Sequence, residues 1–228
     1  MKRLFRMVQP ELHAHDPGHA EAIRERIMDA GEKAFAEWGF AAASLRQITS
    51  EAGVNLAAVN YYFGSKDVLY TSILSRVVQP LNQARIALLE KALLRAAGKP
   101  LALETILDAF CRPCFEFSRQ KEKQHLLVLL GKSLYESDAF MIRLMEHEWK
   151  PVVVHFEREL KRTLPELPSA ELTWRFHFAI GAMIHTISQA RALEYLSNGE
   201  CNMTDGEEVL RRLVAFGAAG MRHSPDKH

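Results

Sequence analysis

Apolar positions along the chain recur at intervals of three and four residues rather than two, from about residue 20 almost to the end. Ile23, Ile27, Ala30, Ala34, Phe35 and Trp38 follow this spacing, while Arg24, Glu25, Asp29, Glu32 and Glu37 take the other faces. That pattern predicts a first amphipathic helix, closed by Gly39. Beyond residue 65 the same period marks segments near 65–96, 101–119, 122–136, 138–163, 168–198 and 205–222. They are separated by Gly98-Lys99-Pro100, by Pro165 to Pro168 and by Asn198-Gly199. No strand alternation competes, so the expected fold class is all-α. Pro80, Pro113 and Pro151 fall inside three of these segments and are expected to kink or divide them, opening space between neighbouring helices.

Between the first helix and residue 65 the caps carry more information than the period. Ser44-Leu45-Arg46-Gln47 has the form of a capping box, so a helix starts at Leu45. Ile48 and Ala52 continue its apolar side, and Gly53 supplies the left-handed residue that ends it after about two turns. Asn55 caps a new helix two residues later, with Val54 and Val59 at the two positions of a hydrophobic staple. Two short helices joined by so tight a turn form a helix-turn-helix.

If Val59 and Phe63 face the core, Leu56, Ala57, Asn60 and Tyr61 project from the opposite side of the second helix. Small residues there permit close approach to base edges in a major groove, and the Asn60 amide can pair with adenine N6 and N7. The hydroxyls of Tyr61 and Tyr62 can donate to phosphate. Ser65 caps the next helix with Lys66 beside it, so free backbone N–H groups and an ammonium can hold a phosphate together. Taken singly, each residue has a plainer role: the tyrosines as core aromatics, Asn60 as an exposed polar side chain.

Composition and charge narrow the class. The chain has 228 residues, 48% apolar and 25% charged, enough for one large core or two unequal ones without disulfide support. No run of about 18 apolar residues is present. The first twenty residues carry charge and histidine where a signal peptide needs an apolar stretch, and the three cysteines are an odd number. These features suit a cytoplasmic protein without a membrane partner. Net charge is only +1, and through residue 70 eight Lys/Arg face nine Asp/Glu, so the DNA-reading unit is not basic overall. The acids concentrate in the first helix, whereas residues 44–66 hold Glu51 against Arg46 and Lys66. Binding of DNA would therefore lean on hydroxyls, backbone N–H groups and dimerisation, with a modest salt dependence.

Ser44-Leu45-Arg46-Gln47-Ile48, then Ala52-Gly53-Val54-Asn55, then Tyr61-Tyr62-Phe63-Gly64-Ser65-Lys66-Asp67-Val68-Leu69 resemble the DNA-binding domain of the TetR family of bacterial repressors. The resemblance covers roughly residues 22–70. It implies an N-terminal three-helix helix-turn-helix domain followed by a C-terminal helical bundle with a four-helix dimer interface. A mobile arm over 1–20, a DNA-binding domain over 21–66 and a ligand-sensing and dimerisation domain over 67–222 are expected. By position, Ser44 and Arg46 would touch backbone phosphate, Asn55, Leu56, Ala57, Ala58 and Asn60 would sit at the groove, and Tyr61, Tyr62 and Lys66 would clamp phosphates. The partners implied are a double-stranded DNA operator, a small hydrophobic effector and a second copy of the chain. Asn60 stands where many members have tyrosine and Tyr62 where they have histidine, so no relative's operator sequence transfers to this chain.

The last two long segments are the expected dimer surface. Trp174, Phe176, Phe178, Ile180, Met183, Ile184 and Ile187 make one apolar on more than one side, and Gly217-Ala218-Ala219-Gly220 in the other lets a second backbone come near. Glu171 to Ala182 and Phe216 to Arg222 also resemble the PsrA-type regulators, which implies an effector such as a long-chain fatty acid or its thioester. A cavity walled by Phe110, Cys114, Phe117, Leu126, Leu130, Trp149, Phe178 and Met183 would suit an aliphatic chain. Arg175 and His177 interrupt an apolar run; a positive group there needs either a carboxylate such as Glu171 or an anionic ligand head.

Other chemistry finds little purchase. Cys111-Arg112-Pro113-Cys114 has the spacing of a redox dithiol but lies in a helical stretch without a βαβ unit, where packing cysteines are the simpler reading. His147 and His155, like His177 and His185, are two turns apart, about 12 Å, too far to share a metal directly. No nucleophile elbow, P-loop or Rossmann glycine pattern occurs, so neither an enzyme, a cofactor nor a metal is expected. A regulator answering an aromatic drug, and a helical interaction module without DNA binding, are the alternatives.

Overall fold

A computed structural model describes residues 17–120, 124–133, 142 and 144–223. The expected N-terminal arm, up to residue 16, lies outside the described residues, as do 122, 123, 134–141 and 143 of the segments expected near 122–136 and 138–163. Ten α-helices are described: α1 (Pro17–Ala42), α2 (Leu45–Ala52), α3 (Leu56–Phe63), α4 (Lys66–Ala96), α5 (Leu103–Ser118), α6 (Gln124–Ser133), α7 (Lys150–Thr163), α8 (Ser169–Ser188), α9 (Ala190–Leu196) and α10 (Gly206–Arg222). One π-helical turn, Met145–Trp149, leads into α7. None of the described helices is long and apolar enough to cross a membrane.

Two adjustments to the expected boundaries have local causes. The segment expected over 168–198 divides at Gln189, whose backbone (φ −112°, ψ 24°) is not helical. Buried positions end at Met183 and α9 has none, so no apolar face holds one continuous rod. Of the three prolines, Pro151 sits in the first turn of α7, just after the π turn, where its missing N–H would be unpaired anyway. Helices α4 and α5 run on through Pro80 and Pro113. In α1 Gly39 has φ 77° and ψ 170°, so the regular helix breaks there and a further turn continues to Ala42.

Two cores follow from the apolar stripes. Ile27, Phe35, Ile48, Val59, Phe63, Leu69, Tyr70, Ile73 and Leu74 pack α1, α2, α3 and the start of α4 into one, which α6 joins through Leu129. The other gathers α5, α7, α8 and α10 on the remainder of α4, centred on Phe110, Phe156 and Phe176. The Phe110 ring meets the other two edge-on, at 5.1 and 4.9 Å between centroids. Burying one such ring contributes about 2–3 kcal/mol. Helix α4 thus belongs to both cores, and the first core extends to Leu74, beyond the helix start at Lys66.

An ionic collar strengthens that junction. Arg76 of α4 donates to Glu25 (3.1 Å), Asp29 (2.8 Å) and Glu32, all on α1. Burial pulls the Arg76 pKa down, but hydrogen bonds to Glu32 and Asp29 outweigh it and hold it above the ordinary arginine value. Three of the acids that make the first helix negative are therefore engaged by α4.

Candidate nucleic-acid interface and internal cavity

The helix-turn-helix is assembled by its own side chains. Ser44 is extended (φ −106°, ψ 145°), its Oγ accepts from the Gln47 N–H at 3.2 Å, and Gln47 Oε1 accepts from the Ser44 N–H at 2.9 Å. Gly53 takes φ 63° and ψ 39°, a left-handed conformation costly to a residue with a Cβ, and ends α2. Asn55 Oδ1 then accepts from the Ala58 N–H at 3.0 Å and starts α3.

Burial sorts α3 into two faces. Val59 and Phe63 are in the core; Asn55, Leu56, Ala57, Asn60 and Tyr61 are exposed, with Tyr61 71% accessible. Ala58 and Tyr62 are half-buried at the edge, and the Tyr62 ring meets Tyr61 edge-on at 5.0 Å. Ser44 and Arg46 are exposed at the start of α2. Lys66 is half-buried: its Nζ donates to the Ala41 carbonyl at 3.4 Å and lies 4.7 Å from the Phe40 ring centre, so it ties the start of α4 to the end of α1. The structure therefore brings all ten expected DNA-contact residues to the α2–α3 unit and its exit.

Arg26 also belongs to this surface and escaped the sequence reading. It is exposed, reaches the Gly53 carbonyl at 3.5 Å, and lines a shallow depression of about 540 Å³ with Ile23, Val54, Asn55, Ala57, Tyr61 and Tyr62. Its position between Ile23 and Ile27 was a usable signal, because a side chain there overhangs the α2–α3 turn.

In the second core a cavity of about 540 Å³ opens between α4, α5 and α6. Val77, Pro80, Leu81, Ala84, Pro113, Phe117 and Leu126 form its apolar wall; Glu32, Arg76, Glu116 and Gln120 form its polar side. Pro80 and Pro113 thus line the same space. Of the expected wall residues, Phe117 and Leu126 are there. Phe110, Cys114 and Trp149 instead surround Arg85, Met183 is buried in the second core, and Leu130 packs on the first. Phe178 is 62% exposed on α8, stacked on Trp174 at 5.7 Å, and His177 is exposed beside both rings.

Arg175 has protein partners. It donates to Glu171 Oε2 at 3.2 Å, to the Met221 carbonyl at 3.0 Å and to the His223 carbonyl, and so closes the C-terminal end of α10, where carbonyls lack helical donors. Of the two partners open to it from sequence, the carboxylate is the one present. Gly217 departs from expectation in direction: with Ala218 it faces inward, and a Cβ on it would lie 3.4 Å from Leu107 Cδ1 and 3.8 Å from Ala179 Cβ. Ala219 and Gly220 face outward.

Arg85, by contrast, is wholly buried. Its Nε donates to the Phe110 carbonyl, Nη1 to Asn82 Oδ1 and Nη2 to Cys114 Sγ, each at 2.9 Å. The guanidinium carbon lies 4.2 Å from the Phe110 ring centre and 5.1 Å from that of Trp149. Asn82 in turn donates to the Glu148 carbonyl of the π turn at 2.6 Å. Burial pushes the Cys111 thiol up to about 12 and raises the Cys114 thiol, the latter against the opposing pull of Arg85. Both cysteines are buried thiols without the depressed pKa of a redox pair.

Helix-turn-helix geometry on a helical bundle defines a class of bacterial regulators, and comparison with known proteins gives the family. The family model for bacterial regulatory proteins of the tetR family matches residues 27–73, and that for the tetracyclin repressor-like C-terminal domain matches residues 108–220. The chain belongs to the TetR family. It is 36% identical over 69 residues to the HTH-type transcriptional repressor NicS of Pseudomonas putida, covering 30% of this chain and 32% of that protein. It is 26% identical over 141 residues to the HTH-type transcriptional dual regulator CecR of Shigella flexneri, covering 60% and 63%. The chain thus spans about a third of one curated relative and under two thirds of the other. Among solved structures, the fatty acid degradation regulator FadR from Bacillus halodurans superposes with a TM-score of 0.64 at 15% identity, over 89% of this chain and 97% of that one, a likeness of fold.

Proposed function

We propose that the chain is a ligand-responsive transcriptional repressor that binds a palindromic DNA operator as a homodimer in the cytoplasm and is released by a small hydrophobic effector. The observation that carries the DNA-binding half is the exposed face of α3, where Asn55, Leu56, Ala57, Asn60 and Tyr61 stand on a helix whose opposite face, Val59 and Phe63, is locked in the core. A rigid helix of two turns that presents small and amide side chains has the shape and donors to read base edges. Residues 21–66 serve as the reader and 67–222 as the sensing and dimerising part.

Dimerisation is supported by apolar exposure on neighbouring helices. Trp174 and Phe178 of α8 and Phe216 of α10 are 58, 62 and 71% accessible, an apolar surface of the kind that a partner covers. A two-fold pairing of α8 and α10 would make the four-helix interface. The effector we infer is a long-chain acyl compound: one wall of the cavity is aliphatic and aromatic, opposite a polar side of Glu32, Arg76, Glu116 and Gln120, and the resemblance of Glu171 to Ala182 to PsrA-type regulators points the same way.

Selection of bound duplexes from the source genome tests the reading. A near-palindromic motif should emerge, and sequences recovered with no shared motif would contradict it.

A further inference from the structure

The Arg85 guanidinium is a cationic group with no contact with bulk water, a costly combination unless an anion compensates it. No carboxylate of a described residue pairs with it: its three acceptors are a backbone carbonyl, an amide oxygen and a thiol sulfur, all formally neutral. A guanidinium offers five N–H donors, and these bonds use three. The other half-buried arginines among the described residues are treated differently. Arg24 meets Glu21 and Glu25, Arg76 meets three carboxylates, Arg112 meets Asp108 and Glu207, and Arg175 meets Glu171.

Arg85 also stands one helical step behind the cavity. Leu81 and Ala84 of α4 and Pro113 and Phe117 of α5 line that space, and the adjoining positions on the same two helices are Arg85 and Cys114. A chain lying along the apolar wall would have its end at the α4–α5 seam, where Asn82 and Cys114 are acceptors that a carboxylate can replace. Phe110 and Trp149 flank the guanidinium and keep water from competing.

We propose that Arg85 anchors the carboxylate head of a free long-chain acyl acid whose tail occupies the cavity between α4, α5 and α6. This rests on the reading of the chain as an effector-responsive regulator, and it narrows the effector to the free acid, since a thioester carbonyl brings no charge to a buried cation. Because Asn82 links Arg85 to the π turn through the Glu148 carbonyl, head-group binding reaches the segment that leads into α7.

Calorimetric titration of the full-length protein with dodecanoate and with 1-dodecanol separates the possibilities. The native protein should bind the acid at least tenfold more tightly than the alcohol. Arg85→Gln should lose that preference while still binding the alcohol, which also reports that it folds, and Arg175→Gln should keep the preference. An Arg85→Gln protein that retains it overturns the proposal. Equal binding of acid and alcohol by the native protein overturns the anchor but leaves the acyl effector standing, whereas binding of neither removes the effector class and the anchor together. Should Arg85→Gln fail to fold, the native protein labelled with 15N-arginine decides: the Arg85 Nε–H resonance should move with dodecanoate and not with dodecanol, and movement with both or neither overturns the proposal.

Discussion

Asn60 and Lys66 sit six residues apart on the same surface yet should fail differently when truncated. Asn60 is exposed on the side of α3 proposed to face the groove, so Asn60→Ala should cost about 1–3 kcal/mol at one base pair per half-site and leave other positions unchanged. Lys66 is proposed to hold phosphate, so Lys66→Ala should weaken all duplexes alike and flatten the salt dependence by about one unit per site. Binding assays on an operator and its single-base variants distinguish the two, and a uniform loss for both would contradict the placement of α3 in the groove. Arg175→Ala is expected to lower stability by about 1.5–3 kcal/mol, the worth of charged hydrogen bonds to the end of α10, with effector response retained; a stable variant deaf to effector would reverse that assignment. Among the thiols, Cys201 is exposed whereas Cys111 and Cys114 are buried with raised pKa values, so a thiol reagent at pH 8 should modify one cysteine quickly and two only on unfolding. Equal rates at all three would contradict the packing of α5. Caps were legible at this scale because the Ser44, Gln47 and Asn55 bonds close within three residues. The Arg85 site was not, since Phe110 and Cys114 stand 25 and 29 residues away, and of the partners of Arg175 only Glu171, four residues away, was legible, the His223 carbonyl being 48 residues on.

Helices α8 and α10 show how far an apolar stripe can be trusted. The period marked both helices, but it did not say which small residues face the chain's own core, because that depends on where α5 approaches. Gly217 meets Leu107 of α5, whereas a Cβ at Gly220 would find open space. Gly217→Arg should therefore unfold the bundle by overpacking, a cost of about 1–3 kcal/mol or more, and Gly220→Arg should yield a folded monomer. Thermal melts with sedimentation separate these outcomes; a dimeric Gly220→Arg protein would place the interface elsewhere. The same limit explains the break at Gln189 and the π turn before α7. Periodicity alone continues through both, and burial, which decides where a helix is held, is a property of the assembled bundle.

At the scale of the whole molecule, α4 is shared by the two cores, and Arg76 collars it to α1 beside the cavity. In the proposed dimer, an occupant that shifts α4 would therefore change the separation of the two helix-turn-helix units. Coupling through one shared helix would be reciprocal: effector should weaken operator binding by the same factor that operator weakens effector binding. The most direct measurement is a pair of titrations on the native protein, one of a selected operator duplex with and without dodecanoate, the other of dodecanoate with and without that duplex. The operator duplex should bind about 10³-fold or more tightly than its scrambled counterpart and be released by dodecanoate with equal factors in both directions. Equal binding of operator and scrambled duplex would contradict a sequence-reading helix-turn-helix.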